Sequence, residues 1–173
     1  LNREVTPYIP QQGSLGASGD LANLAHMSLV LLGEGNAWYK REYLSGAEAL
    51  ERADLKPVVL SGKDGLALIN GTPIETAQGA LALHDGENCL RAANLAAALS
   101  AEALQAFSSA LDPRMHYRRP HPGQIATAAY LRKVVEGSTS IDSDPNDIQD
   151  AYALRCVPQV HGAVADALAQ VRR

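Results

Sequence analysis

Apolar and polar positions fall into short blocks of different period along the chain. Residues 1–19 hold neither a helical nor a strand period: Pro7 and Pro10 interrupt it, and Gly13-Ser14-Leu15-Gly16-Ala17-Ser18-Gly19 is too flexible to propagate a helix. Asp20 opens an apolar stretch, Leu21 to Leu32, closed by Gly33 and Gly35. Leu21, Leu24, Leu29, Val30, Leu31 and Leu32 cover most of its circumference, which predicts a largely buried helix. Alternation around Trp38, Tyr39 and Tyr43 predicts a short β-hairpin over 37–44, turning at Lys40-Arg41. Ser45 followed by Glu48 is a capping-box pattern and starts a short helix to Ala53.

The middle is less decided. Lys56 to Thr72 contains one apolar run, Pro57-Val58-Val59-Leu60, that suits a strand or a loop. Thr76 to Leu111 is long, Ala-rich and helical in pattern, with Asp112-Pro113 as its stop. Gly79 and Gly86 inside it each cost about 1 kcal/mol against Ala, which suggests close helix contacts at both. Pro122 suits the first turn of a helix reaching Gly137, and 138–146 is a polar loop. Asp147 to Arg173 is helical again, kinked or broken by Pro158. The expected fold class is therefore mainly α, long helices packing as a bundle beside one small hairpin, without internal repeats.

Composition agrees with this pattern. Ala (29) and Leu (23) dominate while aromatics are 5%, which favours close-packed helices over sheets. At 173 residues and 18.3 kDa the chain suits one domain or part of a larger one, burying roughly 70% of its unfolded surface if compact. A net charge of −4 and a pI near 5.7 argue against a general nucleic-acid or membrane-surface binder. No run of 18 apolar residues predicts a membrane-spanning helix. Cys89 and Cys156 lie without CxxC spacing, as reduced thiols of a cytoplasmic protein would, and no charged-then-apolar leader supports secretion. The chain lacks an initiator Met and runs helix-like to Arg173, so both ends look cut.

Candidate chemistry concentrates in Gly13–Asp20, which admits three readings. It can be a Gly/Ser loop with Ser18 or Asp20 as the N-cap of the following helix. It can be an anion site at that helix's N-terminus, although no Lys-Ser/Thr follows the glycines as in a Walker loop. Or Ala17-Ser18-Gly19 can cyclise: the Gly19 amide nitrogen, unhindered by a Cβ, folds back onto the Ala17 carbonyl, and loss of water there and from Ser18 leaves a conjugated exocyclic methylene. Elsewhere, His116 and His121 lack a Cys/His partner pattern and suit structural roles, so no metal is expected. The basic run Arg114 to Arg119 suits a solvated turn or an intersubunit surface.

Four ordered segments decide among these readings. Gly13-Ser14-Leu15-Gly16-Ala17-Ser18-Gly19-Asp20-Leu21-Ala22, with Leu24-Ala25-His26-Met27, closely resembles the signature of the histidine/phenylalanine/tyrosine ammonia-lyase family. Gly65-Leu66-Ala67-Leu68-Ile69-Asn70-Gly71-Thr72, Arg119-Pro120-His121-Pro122-Gly123-Gln124 and Gln149-Asp150-Ala151-Tyr152-Ala153-Leu154-Arg155-Cys156-Val157-Pro158-Gln159-Val160-His161-Gly162 resemble three further family motifs. The resemblance implies that Ala17, Ser18 and Gly19 form 4-methylidene-imidazol-5-one (MIO) autocatalytically, with no metal or external cofactor. It places Tyr152 with the triad among the catalytic residues and gives Asn70, Gln149 and Arg155 to substrate binding, Arg155 gripping the carboxylate. On one helix, the i, i+3, i+6 spacing of Gln149, Tyr152 and Arg155 would align them along a side.

The implied reaction eliminates ammonia from histidine or from phenylalanine or tyrosine to give an α,β-unsaturated acid, and aminomutases share the same ring. The Gln149–Tyr152 and Val160–Gly162 wording leans toward the phenylalanine/tyrosine lyases. The implied assembly is a cytoplasmic homotetramer with shared active sites and a small amino-acid substrate, without nucleic acid or membrane. Residues 1–173 resemble a central fragment, 1–75 holding the electrophile and Asn loops and 76–173 the bundle helices. The family's tyrosine base and C-terminal bundle lie outside these residues, so the chain alone is expected to be inactive, and a non-catalytic helical scaffold is the alternative. Asn23 stands where the family commonly has Pro, and Pro73 where it has Gln, which puts the geometry beside Asn70 in question.

Overall fold

The computed structural model describes residues 1–144 and 148–173. They form two compact units, Leu1–Gly79 and Ala80–Arg173.

In the first unit, β1 (Thr6–Pro7), β2 (Asn36–Tyr39) and β3 (Glu42–Ser45) make an antiparallel sheet in that order. The expected hairpin is β2–β3, in register Trp38↔Tyr43, and β1 adds a third strand through Thr6↔Trp38. Its two-residue turn places Lys40 and Arg41 at φ 48° and 70°, the left-handed pair that suits the twist of a hairpin. Strand alternation then sends Ala37 and Leu44 to one face, where they pack with Val5, Val30, Ala49 and Ala53 as the core. The opposite face carries Tyr8, Trp38 and Tyr43, exposed and in ring contact.

The expected capping box forms. The Glu48 amide donates to Ser45 Oγ at 3.3 Å and the Ser45 amide to Glu48 Oε2 at 3.2 Å, starting α2 (Gly46–Arg52). The apolar stretch after Asp20 folds as α1 (Leu21–Leu31), although less of it is buried than its apolar circumference predicts. Leu24 and Val30 are enclosed, whereas Leu31 and His26 face outward. Pro57–Leu60 is a loop, tied to the end of α1 by the Val58 amide donating to the Leu31 carbonyl. After it comes an unanticipated helix, α3 (Asp64–Ile69), whose first residue accepts from the Ser61 amide at 2.9 Å.

The long helix, α4 (Pro73–Ala103), starts in the first unit and ends eight residues before the expected stop at Leu111. Gln105 takes the left-handed conformation (φ 54°) and the Ala106 amide closes back onto the Ala101 carbonyl at 2.9 Å, a C-terminal stop made without glycine. A 3-10 turn follows at Ser108–Leu111. Asp112-Pro113 therefore begins a helix instead of ending one: Asp112 accepts from the Arg114 amide at 2.8 Å and opens α5 (Pro113–Arg118). The expected solvated turn is this helix, and it buries His116 to 1% exposure. The hydrogen bonds from Arg114 hold the Asp112 carboxyl down to about 2.

Pro122 does begin a helix, α6 (Pro122–Val134), which stops short of Gly137. The expected polar loop is described to residue 144, and its remainder, with the expected helix start at Asp147, lies outside the described residues. Residues 148–151 are not helical; α7 (Tyr152–Arg155) is a single turn, and α8 (Val157–Val171) follows a break at Cys156. Pro158 sits in the first turn of α8, where its missing N–H costs nothing.

In the second unit α6 packs on α8. Gly123 and Gly162 face each other at the crossing so closely that a Cβ on Gly162 would lie 2.8 Å from the carbonyl carbon of Gly123. Asp166 accepts from the Gly123 amide at 2.8 Å and fixes the register. Ala98, Leu131 and Val157 form the core, with Leu111 and Val135 against it. Ala98 is the one buried residue recorded for α4, and Leu81, Leu95 and Leu99 on that helix are exposed. Gly86 meets the tip of Leu168 as expected of a close contact, but around Gly79 a Cβ would find open space among the described residues.

Candidate active site

The Ala17-Ser18-Gly19 loop is wound tightly by its glycines. Gly16 and Gly19 adopt φ +77° and +81°, values an L side chain rarely takes. The Leu15 amide donates to the Gly19 carbonyl at 3.1 Å and the Gly19 amide to the Gly16 carbonyl at 3.3 Å. Asn23, in the family's proline position, donates to the Gly13 carbonyl at 3.1 Å and secures the upstream end of the loop.

Asp20 stands at the N-cap position of α1, as one reading of this segment expects, but its side chain makes no capping bond there. The Asp20 carboxylate instead accepts from the Ile74 amide at 2.9 Å and the Glu75 amide at 3.1 Å, so a buried acid beside the triad caps α4. Pro73 is the first residue of α4, where no amide hydrogen is needed, so its replacement of the family's Gln leaves the backbone bonding there intact. Ser18 Oγ is buried without a hydrogen-bond partner among the described residues. A hydroxyl in that condition is held at a cost of about 1–3 kcal/mol. A triad destined to lose this hydroxyl as water fits the observation, as does Gly19's left-handed backbone, so the residues present suit the methylidene-imidazolone.

Asn70 is the C-terminal cap residue of α3, which packs on α1. Its side chain is exposed, so it is not a buried structural Asn, and only its backbone amide is hydrogen-bonded among the described residues, to the Leu66 carbonyl at 3.0 Å.

In the second unit Gln149, Tyr152 and Arg155 come together, but not as a helix face. Gln149 precedes the helix, Ala151 is its N-cap, and only Tyr152 and Arg155 lie in α7. The grouping rests on the guanidinium: it stacks on the Tyr152 ring at 4.3 Å to the centroid, and the Gln149 amide oxygen, turned toward it, accepts from Nη2 at 3.1 Å and from Nη1. Arg155 Nε is buried and unpartnered among the described residues, a donor in want of an acceptor. Asp150 points the other way and accepts from the Phe107 amide at 2.8 Å.

Two histidines hold structural hydrogen bonds. His116 Nδ1 lies 2.9 Å from Gln124 Nε2, and its Nε2 donates to the Ala110 carbonyl at 3.2 Å. His161 Nδ1 donates to Asn94 Oδ1 at 2.8 Å, joining α8 to α4. Among the described residues, no three His, Cys, Asp or Glu side chains gather as a metal site. Among the described residues, no helix is long and apolar enough to cross a membrane. Sequence reasoning missed Asp20's true partners and Glu75, and the acid three residues after Thr72 was the available signal.

Comparison with known proteins shows what the chain is similar to. A histidine ammonia-lyase of Treponema denticola is 61% identical over 173 residues, all of this chain and 34% of its own length. The crystal structure of histidine ammonia-lyase from Trypanosoma cruzi superposes with a TM-score of 0.81 at 39% identity, covering 96% of this chain and 30% of that one. A phenylalanine aminomutase of Pantoea agglomerans superposes at 0.87 with 34% identity, covering 98% and 36%. The chain thus spans about a third of the length of the relatives it matches. The profile of the aromatic amino acid lyases matches residues 1–173 from end to end, and the chain belongs to that family.

Proposed function

We propose that these residues are the electrophile-bearing segment of an ammonia-lyase that acts on histidine and releases an α,β-unsaturated acid. The observation that carries this reading is the buried, unpartnered Ser18 hydroxyl inside a glycine-bounded loop. Once formed from Ala17, Ser18 and Gly19, the methylidene-imidazolone supplies an electrophilic carbon that turns the substrate's amino group into a leaving group. The chain's own residues bind and orient. Arg155, steadied by the Tyr152 ring and Gln149, offers its unpartnered Nε to the substrate carboxylate, to which a planar guanidinium is matched. Tyr152 contributes to substrate binding beside Arg155, and Asn70, whose side chain is exposed, helps to orient the substrate.

Identity of 61% to a histidine ammonia-lyase supports histidine over the phenylalanine or tyrosine toward which the motif wording leans. The likeness to a phenylalanine aminomutase keeps a second reading, in which ammonia is re-added to the product. The assembly is a homotetramer of the reducing cytoplasm, in keeping with the free thiols of Cys89 and Cys156. By itself the 173-residue chain turns over negligibly, because the family's proton-removing tyrosine lies outside it.

The test is peptide mass mapping across Ala17-Ser18-Gly19, followed by assay of a full-length chimera in which these residues replace the matching third of the Treponema denticola enzyme. A triad lighter by two waters, with histidine converted to an unsaturated acid and free ammonia, supports the proposal. An unmodified triad in the chimera refutes it, and a β-amino acid product selects the aminomutase.

A further inference from the structure

The Asp20 cap does more than start a helix: by holding the amides of Ile74 and Glu75, it fixes the first turn of α4 against the residue that follows the triad. The Glu75 side chain then reaches back to Gly19. A Cβ built on Gly19 would stand 3.1 Å from Glu75 Oε1, with Ser14 Oγ next at 3.7 Å. One bond from that Cα is the amide nitrogen that ring closure must strip of its hydrogen. At rest this amide donates to the Gly16 carbonyl at 3.3 Å, longer than the usual range of about 2.7–3.2 Å, so its hydrogen is loosely held. Glu75 has no ion-pair partner among the described residues, which leaves its carboxylate available as a base.

Building on the proposed function, we infer that Glu75 is the proton acceptor for cyclisation of the triad. Its carboxylate takes the Gly19 N–H hydrogen as the nitrogen pair forms the new bond to the Ala17 carbonyl carbon. The π pair of that carbonyl moves onto oxygen, which receives the proton back from Glu75. The resulting hydroxyl leaves as water with the Ser18 amide hydrogen, creating the ring C=N bond. The Ser18 Cα hydrogen and hydroxyl leave as the second water, creating the exocyclic C=C bond. No oxidant or metal is required. Gly19 serves twice, since a side chain there would strain the backbone and also crowd this carboxylate.

The experiment follows the triad peptide by mass at timed intervals after cell-free synthesis of the full-length chimera, comparing parent, Glu75→Gln, Glu75→Asp and Glu75→Ala with and without added formate. The expected result is at least a tenfold slower loss of the two waters in Glu75→Gln and Glu75→Ala. Glu75→Asp should be intermediate, and formate should accelerate only Glu75→Ala, which has room for it. Maturation of Glu75→Gln at the parental rate overturns the inference while the lyase reading stands. Slow maturation of Glu75→Ala that formate does not relieve makes Glu75 a structural residue and also overturns it. A parent that never loses the waters refutes the lyase reading itself.

Discussion

Replacing Gly162 by Ala tests the closeness of the α6–α8 crossing. The added Cβ would stand 2.8 Å from the Gly123 carbonyl carbon and nearer still to the Gln124 backbone, whereas non-bonded carbons rest at about 3.5–4.0 Å. These are main-chain atoms, which cannot turn aside as a side chain can, so the helices must part by about 1 Å. Overpacking costs about 1–3 kcal/mol, and contact with backbone puts this site at the upper end. Alanine's better helix propensity returns about 1 kcal/mol, leaving a loss of about 2 kcal/mol. Parting the helices also stretches the Gly123–Asp166 bond. Urea denaturation followed by far-ultraviolet circular dichroism should then show the midpoint lowered by about 1 M, for a slope of about 2 kcal/mol per molar. Gly79→Ala is the control: its Cβ meets nothing within 4 Å, and it should hold or raise the midpoint. Equal behaviour of the two variants, or an unmoved midpoint in Gly162→Ala, would refute the reasoning.

Three other outcomes are expected. Asp20→Ala removes two charge-assisted bonds to the start of α4 and should destabilise the first unit by about 1.5–3 kcal/mol, read from the fluorescence of Trp38, the single tryptophan. Arg41→Gly relieves a left-handed conformation at φ 70° and should raise the thermal midpoint by the equivalent of about 1 kcal/mol. Asp112 should titrate by carboxyl NMR at about 2, and Arg114→Ala should return it toward the ordinary carboxylate value. Because the folded value is the depressed one, the contribution of this cap is complete above about pH 4 and fades as pH falls toward 2.

What the sequence revealed were features whose cause is local. The Ser45–Glu48 box, the Lys40-Arg41 hairpin and the proline at the start of α6 each act within a few residues, and each formed where the pattern put it. Pro158, expected to kink or break a longer helix, instead lies in the first turn of α8. Ser61 and Asp64 carry a comparable helix-start pattern for α3, hidden inside a segment read by its valines. The end of α4 was not legible, because Leu104-Gln105-Ala106 is good helix sequence. The turn is held by distant acids, Asp150 on the Phe107 amide and Asp142 on the Ser108 amide. The Gln149–Arg155 spacing was right about proximity and wrong about its cause, which is stacking and a side-chain bond in place of a shared helix face. Asp20 offered an N-cap residue type in the correct place for α1, and nothing local could tell that it would serve α4.

The Asp20 clamp also sets a clock. Its partners are 54 and 55 positions further along the chain, so it cannot close while the ribosome is still short of α4. At roughly 5–20 residues per second, the Gly-rich loop spends about 3–11 s as an open, hydrated segment after its own synthesis. Through that interval Ser18 is an ordinary serine in water, and only read-through to Glu75 can draw it into an environment that strips the water away. An electrophile made from the backbone is hazardous to a half-made protein, and on the function proposed above this arrangement would postpone it until the residues around it have arrived.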